Sequence, residues 1–475
     1  MKFFNTMGRS LEDFKPLELG KAKLYTCGPT VYNFAHIGNF RAYLFEDMLR
    51  RTLEYHGYQV TQVMNLTDVD DKTIRDSRAA GLSLNDFTAK YKKAFFEDLA
   101  ALRIEPAEHY PEATKHIGEM IDMIQALMDK GFAYQSEDKS IYFSIEKCPG
   151  YGKLARIDMT SQRVGERVRS DEYAKDSVAD FALWKAWDEK DGDVKWDSPW
   201  GPGRPGWHIE CSAMSRKYLG NTFDLHTGGI DNMFPHHEDE IAQSESANGC
   251  RFVNYWLHCE HLTVGKQKMS KSLGNFYTLR DLLNKGYTGA EIRWALTGTH
   301  YRSKLNFDFS SLDQARAALR KFRDCFVRLA ALPEGEAGIA ETEALCARAK
   351  EAFGAAYAND LNAAAGIAEV FRFTRDVNGL MAKKQIAGTA AKRILEQYRD
   401  FDRIIGCLDV DAALAAKPEA DAEEDVPAEI RALIAKRTEA KKAKDFATAD
   451  AVRDELKQLG WTVTDTPSGP KAKKL

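Results

Sequence analysis

Two lysines and two serines stand close together near the middle of the chain, in the segment Lys268-Met269-Ser270-Lys271-Ser272. Ammonium groups act as compact charges and hydroxyls as donors, so this segment can contact several phosphate oxygens at once. Gly265 and Gly274 on either side allow the loop to move. The segment therefore predicts a loop that closes over a polyphosphate, with a solvated basic loop as the alternative that a short motif leaves open.

A second segment predicts where the phosphates lie. Residues 22–27 form an apolar run that predicts a strand, a Gly-Pro turn follows, and His36-Ile37-Gly38-Asn39 opens a helical pattern. The free N–H groups and the dipole at a helix N-terminus favour an anion. Together the two segments predict a site for ATP with Mg²⁺. The residues predicted for this site are Gly28, His36, Gly38, Asn39, Lys268, Ser270 and Lys271.

Four other side chains have the chemistry of metal ligands. His236 and Glu240 are four residues apart, so they lie on one face of a helix that Pro235 can start. Cys27 ends the first predicted strand, and Cys211 lies far from it in the sequence. Thiolates, imidazoles and carboxylates are the ligands that zinc takes in proteins. Each residue alone has a simpler explanation, because buried cysteines are usually small apolar side chains and acidic helices are usually solvated.

These motifs resemble those of a known enzyme family. The two phosphate segments are similar to the HIGH and KMSKS signatures of class I aminoacyl-tRNA synthetases, and Cys27, Cys211, His236 and Glu240 match the zinc ligands of the cysteinyl-tRNA synthetases. The resemblance implies a Rossmann-like, doubly wound α/β fold and one Zn²⁺ per chain that holds the thiolate of substrate cysteine. Zinc deprotonates a thiol whose ordinary pKa is about 8.5, and it binds the hydroxyl of serine less well.

The resemblance also implies roles for side chains at the ATP site. His36, Asn39, Lys268 and Lys271 would be catalytic, and the two lysines would stabilise charge that develops on the phosphates. The family usually carries a second histidine where this chain has Asn39. An amide keeps a hydrogen-bond donor at this position but cannot carry charge. The replacement leaves His36 as the imidazole of this motif.

A pocket for the amino acid is implied at the ends of two further strands. Thr67 follows an apolar run, within a stretch that resembles the family's Asn-x-Thr-Asp-x-Asp-Asp-Lys motif. His226 and Asp231 follow another run, and ligands of open α/β sheets bind at the carboxyl ends of strands. Thr67 would face cysteine, Asp231 would hold its ammonium group, and Trp207 with His226 would form the walls. A satisfied buried histidine is the alternative for His226.

Composition sets wider limits. A chain of 475 residues with 44% hydrophobic content can form several domains. The formal net charge of −4 argues against indiscriminate nucleic-acid binding, so a tRNA partner would meet local basic patches. The eight scattered cysteines show no disulfide framework and fit a reducing cytoplasm. Neither a signal-like segment nor an apolar stretch of membrane-spanning length is found, and we expect a cytoplasmic monomer without membrane contact.

The motif positions divide the chain into predicted segments. The catalytic domain is predicted in two halves, at 1–115 and 205–265, with a connective insertion between them at 116–204. The loop that contains Lys268 and Lys271, called the lysine loop below, follows with a stem-contact region at 266–310. The rest of the chain is predicted to form an α-helical anticodon-binding domain at 311–415, an acidic linker at 416–428 and a small C-terminal tRNA-binding unit with a disordered tail at 429–475. The helical assignment rests on apolar residues at helical spacing after Leu312. The basic run 436–444 suits an RNA backbone.

The resemblance implies activation of L-cysteine by ATP and its transfer to the 3′ end of tRNA(Cys). Two alternatives remain. One is a related ligase that joins cysteine to an amino sugar, and the long helical and basic C-terminal region argues against it. The other is a zinc-containing RNA-binding protein without catalysis, and the presence of both phosphate-binding segments argues against that.

Overall fold

The computed structural model describes residues 1–157, 180–269, 273–416, 427–443, 445–466 and 469–474. Its strands are β1 Lys2–Asn5, β2 Ser10–Asp13, β3 Lys21–Thr26, β4 Gln59–Met64, β5 Ala133–Gln135, β6 Ile141–Phe143, β7 Phe181–Ala186, β8 Gly203–Pro205, β9 Phe223–Gly229, β10 Val253–Cys259, β11 Leu262–Val264, β12 Gln267–Lys268, β13 Leu305–Phe307, β14 Trp461–Thr466 and β15 Gly469–Lys474. Its α-helices are α1 Ile37–Tyr55, α2 Asp71–Ala79, α3 Leu84–Ala101, α4 Ile117–Asp129, α5 Trp207–Leu219, α6 His236–Asn248, α7 Leu279–Asn284, α8 Gly289–Thr297, α9 Phe309–Ala330, α10 Ile339–Ala358, α11 Ala363–Ala382, α12 Gly388–Ile405, α13 Val410–Ala415, α14 Ala428–Lys442 and α15 Phe446–Gln458. None of these described helices combines the length and the apolar character that crossing a bilayer requires.

A four-stranded parallel sheet carries the site, with strand order β10-β9-β3-β4. Leu24, Val63 and Leu225 in its strands are fully buried, as expected where helices cover both faces of a parallel sheet. The strands run in the same direction, so their carboxyl ends lie at one edge. At that edge the N–H of Cys27 donates to the carbonyl of Thr227 at 3.3 Å. The predicted α/β architecture is confirmed, and its strand ends meet where ligands of such sheets bind.

A separate antiparallel sheet, with order β5-β6-β7-β8, lies along the chain between the two halves of the parallel sheet. Met120 and Leu127 of α4 pack in one apolar cluster with Ile141 and Phe143 of β6. All three residues of β6 are buried. β6 is an inner strand between β5 and β7, and cover on both faces leaves it no solvent-facing side.

Buried charges tie α1 to the helices that follow the nucleotide-binding half. Arg293 of α8 and Arg51 both form ion pairs with Asp47, and Asp47 and Arg293 are almost completely buried. Arg293 also donates from Nε to the carbonyl of Ile405, at the end of α12, at 2.6 Å. Burial alone would raise the pKa of Asp47, but the two arginines lower it below its ordinary value. Residues 1–410 accordingly form one compact unit.

Removing the charge of Asp47 is predicted to destabilise this unit strongly. The Asp47→Asn variant leaves Arg293 buried without its counter-ion, and breaking a buried ion pair from one side costs roughly 3–5 kcal/mol. Urea unfolding should show that decrease in the free energy of unfolding. Asp122→Asn, at an exposed position of α4, is the matched control and should change it by no more than about 0.5 kcal/mol. Equal effects of the two variants would contradict the importance of the pair.

Residues 411–475 form a second unit with its own small core. Ile430 of α14, Val452 and Leu456 of α15 and Trp461 of β14 pack together. A disordered tail was predicted from residue 467 onwards, and this is wrong for 469–474, which pair as β15 with β14 in an antiparallel hairpin. The ladder pairs the facing backbone groups of the two strands, and Ala472 packs on the core.

Candidate metal and nucleotide site

The structure brings the four predicted metal ligands together. Cys27 follows β3, Cys211 lies in α5, and His236 and Glu240 lie one turn apart at the start of α6, directly after Pro235. One ligand atom of each residue lies within 4.8 Å of those of the other three. All four side chains are buried. Two thiols, an imidazole and a carboxylate at this separation have the composition of a tetrahedral zinc site.

Burial controls the protonation of this group. The pKa of the Cys27 thiol is raised well above its ordinary value, mainly by a hydrogen bond with Cys211 and secondly by burial. Burial raises the pKa of Cys211 and lowers the pKa of His236 to about 3. His236 is therefore neutral near pH 7, as an imidazole must be to bind a metal. The thiols keep their protons until a cation displaces them.

One buried oxygen of Glu240 lacks a hydrogen-bond partner. Its Oε2 lies 2.9 Å from Nε2 of His226. Its Oε1 lies 3.1 Å from Nε2 of His236, but outside hydrogen-bond geometry, and no described residue donates to it. A buried carboxylate oxygen without a donor is costly, and a cation among the thiols would satisfy it. The donor set therefore fits zinc.

Two further histidines extend from the cluster. Nε2 of His237 lies 3.2 Å from Sγ of Cys27, and its Nδ1 lies 2.9 Å from Nε2 of His258. His258 in turn contacts the hydroxyl of Thr6 at 2.8 Å. Burial lowers the pKa of His258 to about 3, so this ring is neutral. Sequence spacing gives no sign of the His237 contact, because His237 lies off the face of α6 that carries the predicted ligands.

The two predicted walls of the amino-acid pocket lie beside the ligands. Trp207, the first residue of α5, stacks on His236 with ring centroids 4.3 Å apart, and 44% of it is exposed. His226 in β9 stacks on Trp256 at 4.6 Å and is fully buried, and both of its ring nitrogens have partners. Trp207 is therefore open to a ligand, whereas His226 here holds Glu240.

Thr67 is buried, and its hydroxyl group already has two hydrogen-bond partners. Its hydroxyl donates to Oε2 of Glu210 at 2.7 Å and accepts from Nδ2 of Asn65 at 3.2 Å. The N–H of Gly28 donates to Oδ1 of Asn65 at 2.9 Å, and a Cβ at Gly28 would lie 1.8 Å from the Asn65 carbonyl oxygen. Gly28 is therefore required by the close approach of the loops after β3 and β4. Sequence reasoning missed Glu210, although a glutamate directly before Cys211 could have drawn attention to it.

A second buried glutamate, also missed, lies under the site. Glu46 of α1 is fully buried, and its Oε1 accepts from the hydroxyl of Thr227 at 3.1 Å. Its Oε2 has no partner among the described residues. Burial raises the pKa of Glu46 well above its ordinary value and so favours the neutral acid. The available signal was an acidic residue within the apolar stripe of α1.

His36 and Asn39 cap α1 reciprocally. Nδ1 of His36 accepts from the N–H of Asn39 at 3.2 Å, and Oδ1 of Asn39 accepts from the N–H of His36 at 3.1 Å. This capping box satisfies two donors at the helix end. Burial lowers the pKa of His36, and because Nδ1 accepts, the neutral ring carries its proton on Nε2. The amide of Asn39 thus stabilises the N-terminus of α1 by capping it.

The chain on both sides of the lysine loop contacts the N-terminus of α1. The first N–H of the helix donates to the carbonyl of Tyr277 at 3.0 Å, and the ring of Phe276 packs edge-on against His36 at 5.2 Å. A Cβ at Gly38 would lie 2.9 Å from Cε of Met269. The two segments predicted to hold ATP are therefore neighbours in the fold.

Lys268 and Asp231 are the remaining predicted residues that the structure describes. Ser270 and Lys271 lie outside the described residues, and Lys268 is described by its backbone in β12. Asp231 lies in the 3-10 helix after β9 and is exposed. A Cβ at Gly229 would lie 2.5 Å from Oδ1 of Asp231, so glycine at this position leaves room for the carboxylate.

Comparison with known proteins decides the family. A model described as tRNA synthetases class I (C) catalytic domain matches residues 13–317, and one described as cysteinyl-tRNA ligase anticodon binding domain matches residues 412–470. The cysteine–tRNA ligase of Protochlamydia amoebophila (strain UWE25) is 47% identical, covering 100% of this chain and 98% of the relative. That of Brachyspira hyodysenteriae (strain ATCC 49526 / WA1) is 48% identical, covering 99% of each. The chain belongs to the cysteine–tRNA ligase family.

The anticodon-binding model of this cysteine–tRNA ligase family falls on the C-terminal unit, whereas most of the segment 311–415 lies between the two matched models. Solved structures share the fold at low identity. A Mycobacterium tuberculosis methionyl-tRNA synthetase in complex with methionyl-adenylate has a TM-score of 0.61 at 14% identity, covering 83% of this chain and 92% of that one. The Agrobacterium radiobacter K84 agnB2 LeuRS, in a ternary complex with tRNA and LeuAMS, has a TM-score of 0.59 at 12% identity, covering 85% and 86%. The predicted class I synthetase fold is confirmed.

Proposed function

We propose that this chain activates L-cysteine with ATP and transfers it to the 3′ end of tRNA(Cys), with one zinc ion selecting the amino acid. The observation that carries the proposal is the buried group Cys27, Cys211, His236 and Glu240 at the carboxyl edge of the parallel sheet. A metal site with two thiolate ligands suits a thiol substrate. Relatives named cysteine–tRNA ligases, matched along their full length, support the same reaction.

The chain's own residues position cysteine beside this group. Asp231 is exposed and binds the ammonium group, and the open face of Trp207 covers the side chain. Thr67 and Glu210 fix the loop after β4, and His226 orients Glu240. When bound, zinc would hold the substrate thiol as a thiolate, which serine cannot match with its hydroxyl.

The ATP side is assigned to the lysine loop and the start of α1. Gly28, Gly38 and Asn39 shape the approach to the helix N-terminus, and His36 directs Nε2–H towards the nucleotide. The carboxylate of cysteine attacks the α-phosphate of ATP, which gives cysteinyl-adenylate and releases pyrophosphate with Mg²⁺. Lys268, Ser270 and Lys271 stabilise the charge on the phosphates, so catalysis consists of positioning and electrostatics.

Exchange of pyrophosphate into ATP, measured with each amino acid in turn, tests this proposal. Cysteine alone should sustain exchange, because only its thiol matches the metal site, and serine is the critical comparison. Charging of tRNA(Cys) with labelled cysteine tests the second step. Exchange with cysteine followed by transfer to an amino sugar, and not to tRNA, would favour the related amino-sugar ligase instead. Exchange with a different amino acid would contradict the zinc assignment.

Lys271→Ala is predicted to slow adenylate formation by on the order of a hundredfold, the effect of removing one donor to a developing charge. Affinity for cysteine should hardly change, since the loop does not form the metal site. Stopped-flow or exchange kinetics measure the first quantity, and isothermal titration with cysteine measures the second. Lys304→Ala, at an exposed lysine elsewhere in the same region, is the control and should leave both unchanged. Loss of cysteine binding in Lys271→Ala would show that the loop has a structural role.

We also infer a monomer that works in the cytoplasm. All eight cysteines are free, which supports a reducing compartment. Every residue proposed for ATP, metal and cysteine lies in one chain, so a second copy is not needed to complete the site. The basic residues Lys441 and Lys442 at the end of α14 support tRNA as the partner, and they make the amino-sugar acceptor the weaker alternative.

A further inference from the structure

The loop after β3 presents two aromatic side chains at the surface. Residues 28–35 connect the proposed metal ligand Cys27 to His36, which caps α1, and Tyr32 and Phe34 in this loop are both partly exposed. A ring that is partly open to solvent can stack with a further flat group. Neither ring has a part in the proposed activation of cysteine, so both are available for another partner.

Hydrogen bonds hold this loop beside the proposed cysteine pocket. The N–H of Val31 donates to the carbonyl of Thr67 at 3.0 Å, and the N–H of Thr67 donates to the carbonyl of Pro29 at 3.1 Å. Thr67 belongs to the loop after β4, at the carboxyl edge of the parallel sheet. Tyr32 directly follows Val31, so its backbone lies next to the pocket in which cysteine is activated.

Each ring is accompanied by a lysine from a neighbouring helix. Nζ of Lys72, in the first turn of α2, lies 5.2 Å from the centroid of the Tyr32 ring, and Nζ of Lys90, in α3, lies 5.8 Å from that of Phe34. Both lysines are exposed, and within the described parts of the chain neither forms an ion pair with a carboxylate. An exposed ammonium group near a ring keeps donors for a further partner. The two pairs therefore form a surface that is both aromatic and positively charged.

The acidic groups next to Lys72 are already engaged. Asp71 forms ion pairs with Lys185 of β7 and Arg204 of β8, and Asp70 caps α2. These contacts leave the charge of Lys72 uncompensated. They also hold the start of α2 against the antiparallel sheet, so the aromatic and basic surface lies where that sheet meets the loops of the site.

Single-stranded nucleic acid matches this combination of side chains. Proteins bind it through aromatic rings on which bases stack and through cations that meet the phosphates. Bases within a double helix are paired and stacked, whereas unpaired bases are free to stack on a protein. An acidic peptide would use the two lysines but would leave both rings without a partner. The surface thus favours an unpaired stretch of RNA.

We propose that Tyr32, Phe34, Lys72 and Lys90 hold the single-stranded 3′ end of tRNA(Cys) beside the site in which cysteine is activated. Unpaired bases stack on the two rings, and the two lysines contact the phosphates between them. This inference rests on the proposed function, because it supplies the path by which the acceptor reaches cysteinyl-adenylate. The four side chains belong to neither the proposed metal site nor the ATP site, so activation of cysteine does not require them.

Binding of two forms of tRNA(Cys) tests the inference, one intact and one from which the last three nucleotides have been removed. Tyr32→Ala should lower the affinity for intact tRNA about tenfold, the loss of one base stacked on a ring. It should leave the affinity for the shortened tRNA unchanged, because the base that stacks is absent there. Tyr32→Phe keeps the ring and should bind both forms as the unmodified protein does. Equal losses for the two forms in Tyr32→Ala would overturn the inference, since the ring would then act elsewhere in the complex.

The two lysines are tested by charge removal. Lys72→Ala and Lys90→Ala should each lower the affinity for intact tRNA about fivefold and reduce the slope of its salt dependence by about one, the effect of one lost phosphate contact. Lys21→Ala is the matched control, because Lys21 is also exposed but opens β3 at the opposite edge of the sheet. It should change neither quantity. A salt dependence that stays the same in Lys72→Ala and Lys90→Ala would show that these lysines meet no phosphate.

Pyrophosphate exchange separates a failure of this inference from a failure of the proposed function. An unmodified protein that neither exchanges with cysteine nor charges intact tRNA contradicts the proposed function. An unmodified protein that does both, beside a Tyr32→Ala variant that charges tRNA with the same KM, contradicts only the role of this surface. A raised KM for ATP in exchange by Tyr32→Ala would also overturn that role, because it would assign the ring to the adenine of ATP.

Discussion

Replacing Cys211 by serine is expected to remove the metal and the activation of cysteine together. The ligand atoms of Cys27, Cys211, His236 and Glu240 lie within 4.8 Å of one another, and the Cys211→Ser change removes one of the two thiols of this group. A hydroxyl is a poor ligand for zinc, and the proposed site then keeps three ligands. Cysteine-dependent pyrophosphate exchange should fall by on the order of a thousandfold or more, since several kcal/mol of thiolate binding is lost.

Metal content by atomic emission, measured beside exchange, separates this loss from unfolding. Cys325→Ser is the matched control, because Cys325 is also a buried free thiol but lies in α9, outside the metal group. It makes the same chemical change in another core and should keep both zinc and exchange. Circular dichroism should show equal helix content in the two variants. A Cys211→Ser protein that holds no zinc yet exchanges normally with cysteine would remove the metal from substrate selection.

Sequence spacing predicted part of this group, because its members have distinctive chemistry. His236 and Glu240 share a helix face by their separation, and Cys27 ends a strand that an apolar run predicts. Cys211 required the family resemblance, since nothing local relates it to a strand end far away in the sequence. The residues that hold these side chains in position were harder to predict.

Those supporting residues act through tertiary contacts, which the periodicity of the sequence does not reveal. His237 reaches Cys27 only because α6 lies against the end of β3, and Glu210 reaches Thr67 only because α5 crosses the loop after β4. Asn39 shows the opposite case. It differs from the family motif, and its role in the capping box follows from a spacing of three residues that is visible in the sequence.

The domain boundary within the helical part also escaped sequence reasoning. A new domain was placed at residue 311, where the spacing of apolar residues becomes helical. The structure instead continues one compact unit to Val410, because Arg51 of α1 and Arg293 of α8 donate to carbonyl groups at the end of α12. Helical periodicity identifies helices, but it does not show which buried polar contacts join them to the preceding domain.

A chain that ends after Val410 is expected to activate cysteine at the normal rate and to lose most of its ability to charge tRNA. All proposed ATP, metal and cysteine residues and the buried Asp47–Arg293 pair lie within residues 1–410, which form one unit. The lost unit, 411–475, carries the match to an anticodon binding domain. Losing a few RNA contacts of roughly 1–3 kcal/mol each should lower kcat/KM for tRNA on the order of a thousandfold.

Neutralising Lys441, Lys442 and Lys444 together in the full-length chain separates RNA contact from truncation. The first two lie at the end of α14, and Lys444 lies outside the described residues. Lysines that meet phosphates release counterions, so the variant should show a raised KM for tRNA and a shallower dependence of tRNA binding on salt. Pyrophosphate exchange with cysteine should be unchanged in both proteins. Equal charging by the truncated and full-length chains would mean that residues 411–475 serve a purpose other than tRNA recognition, because the catalytic unit alone would then suffice.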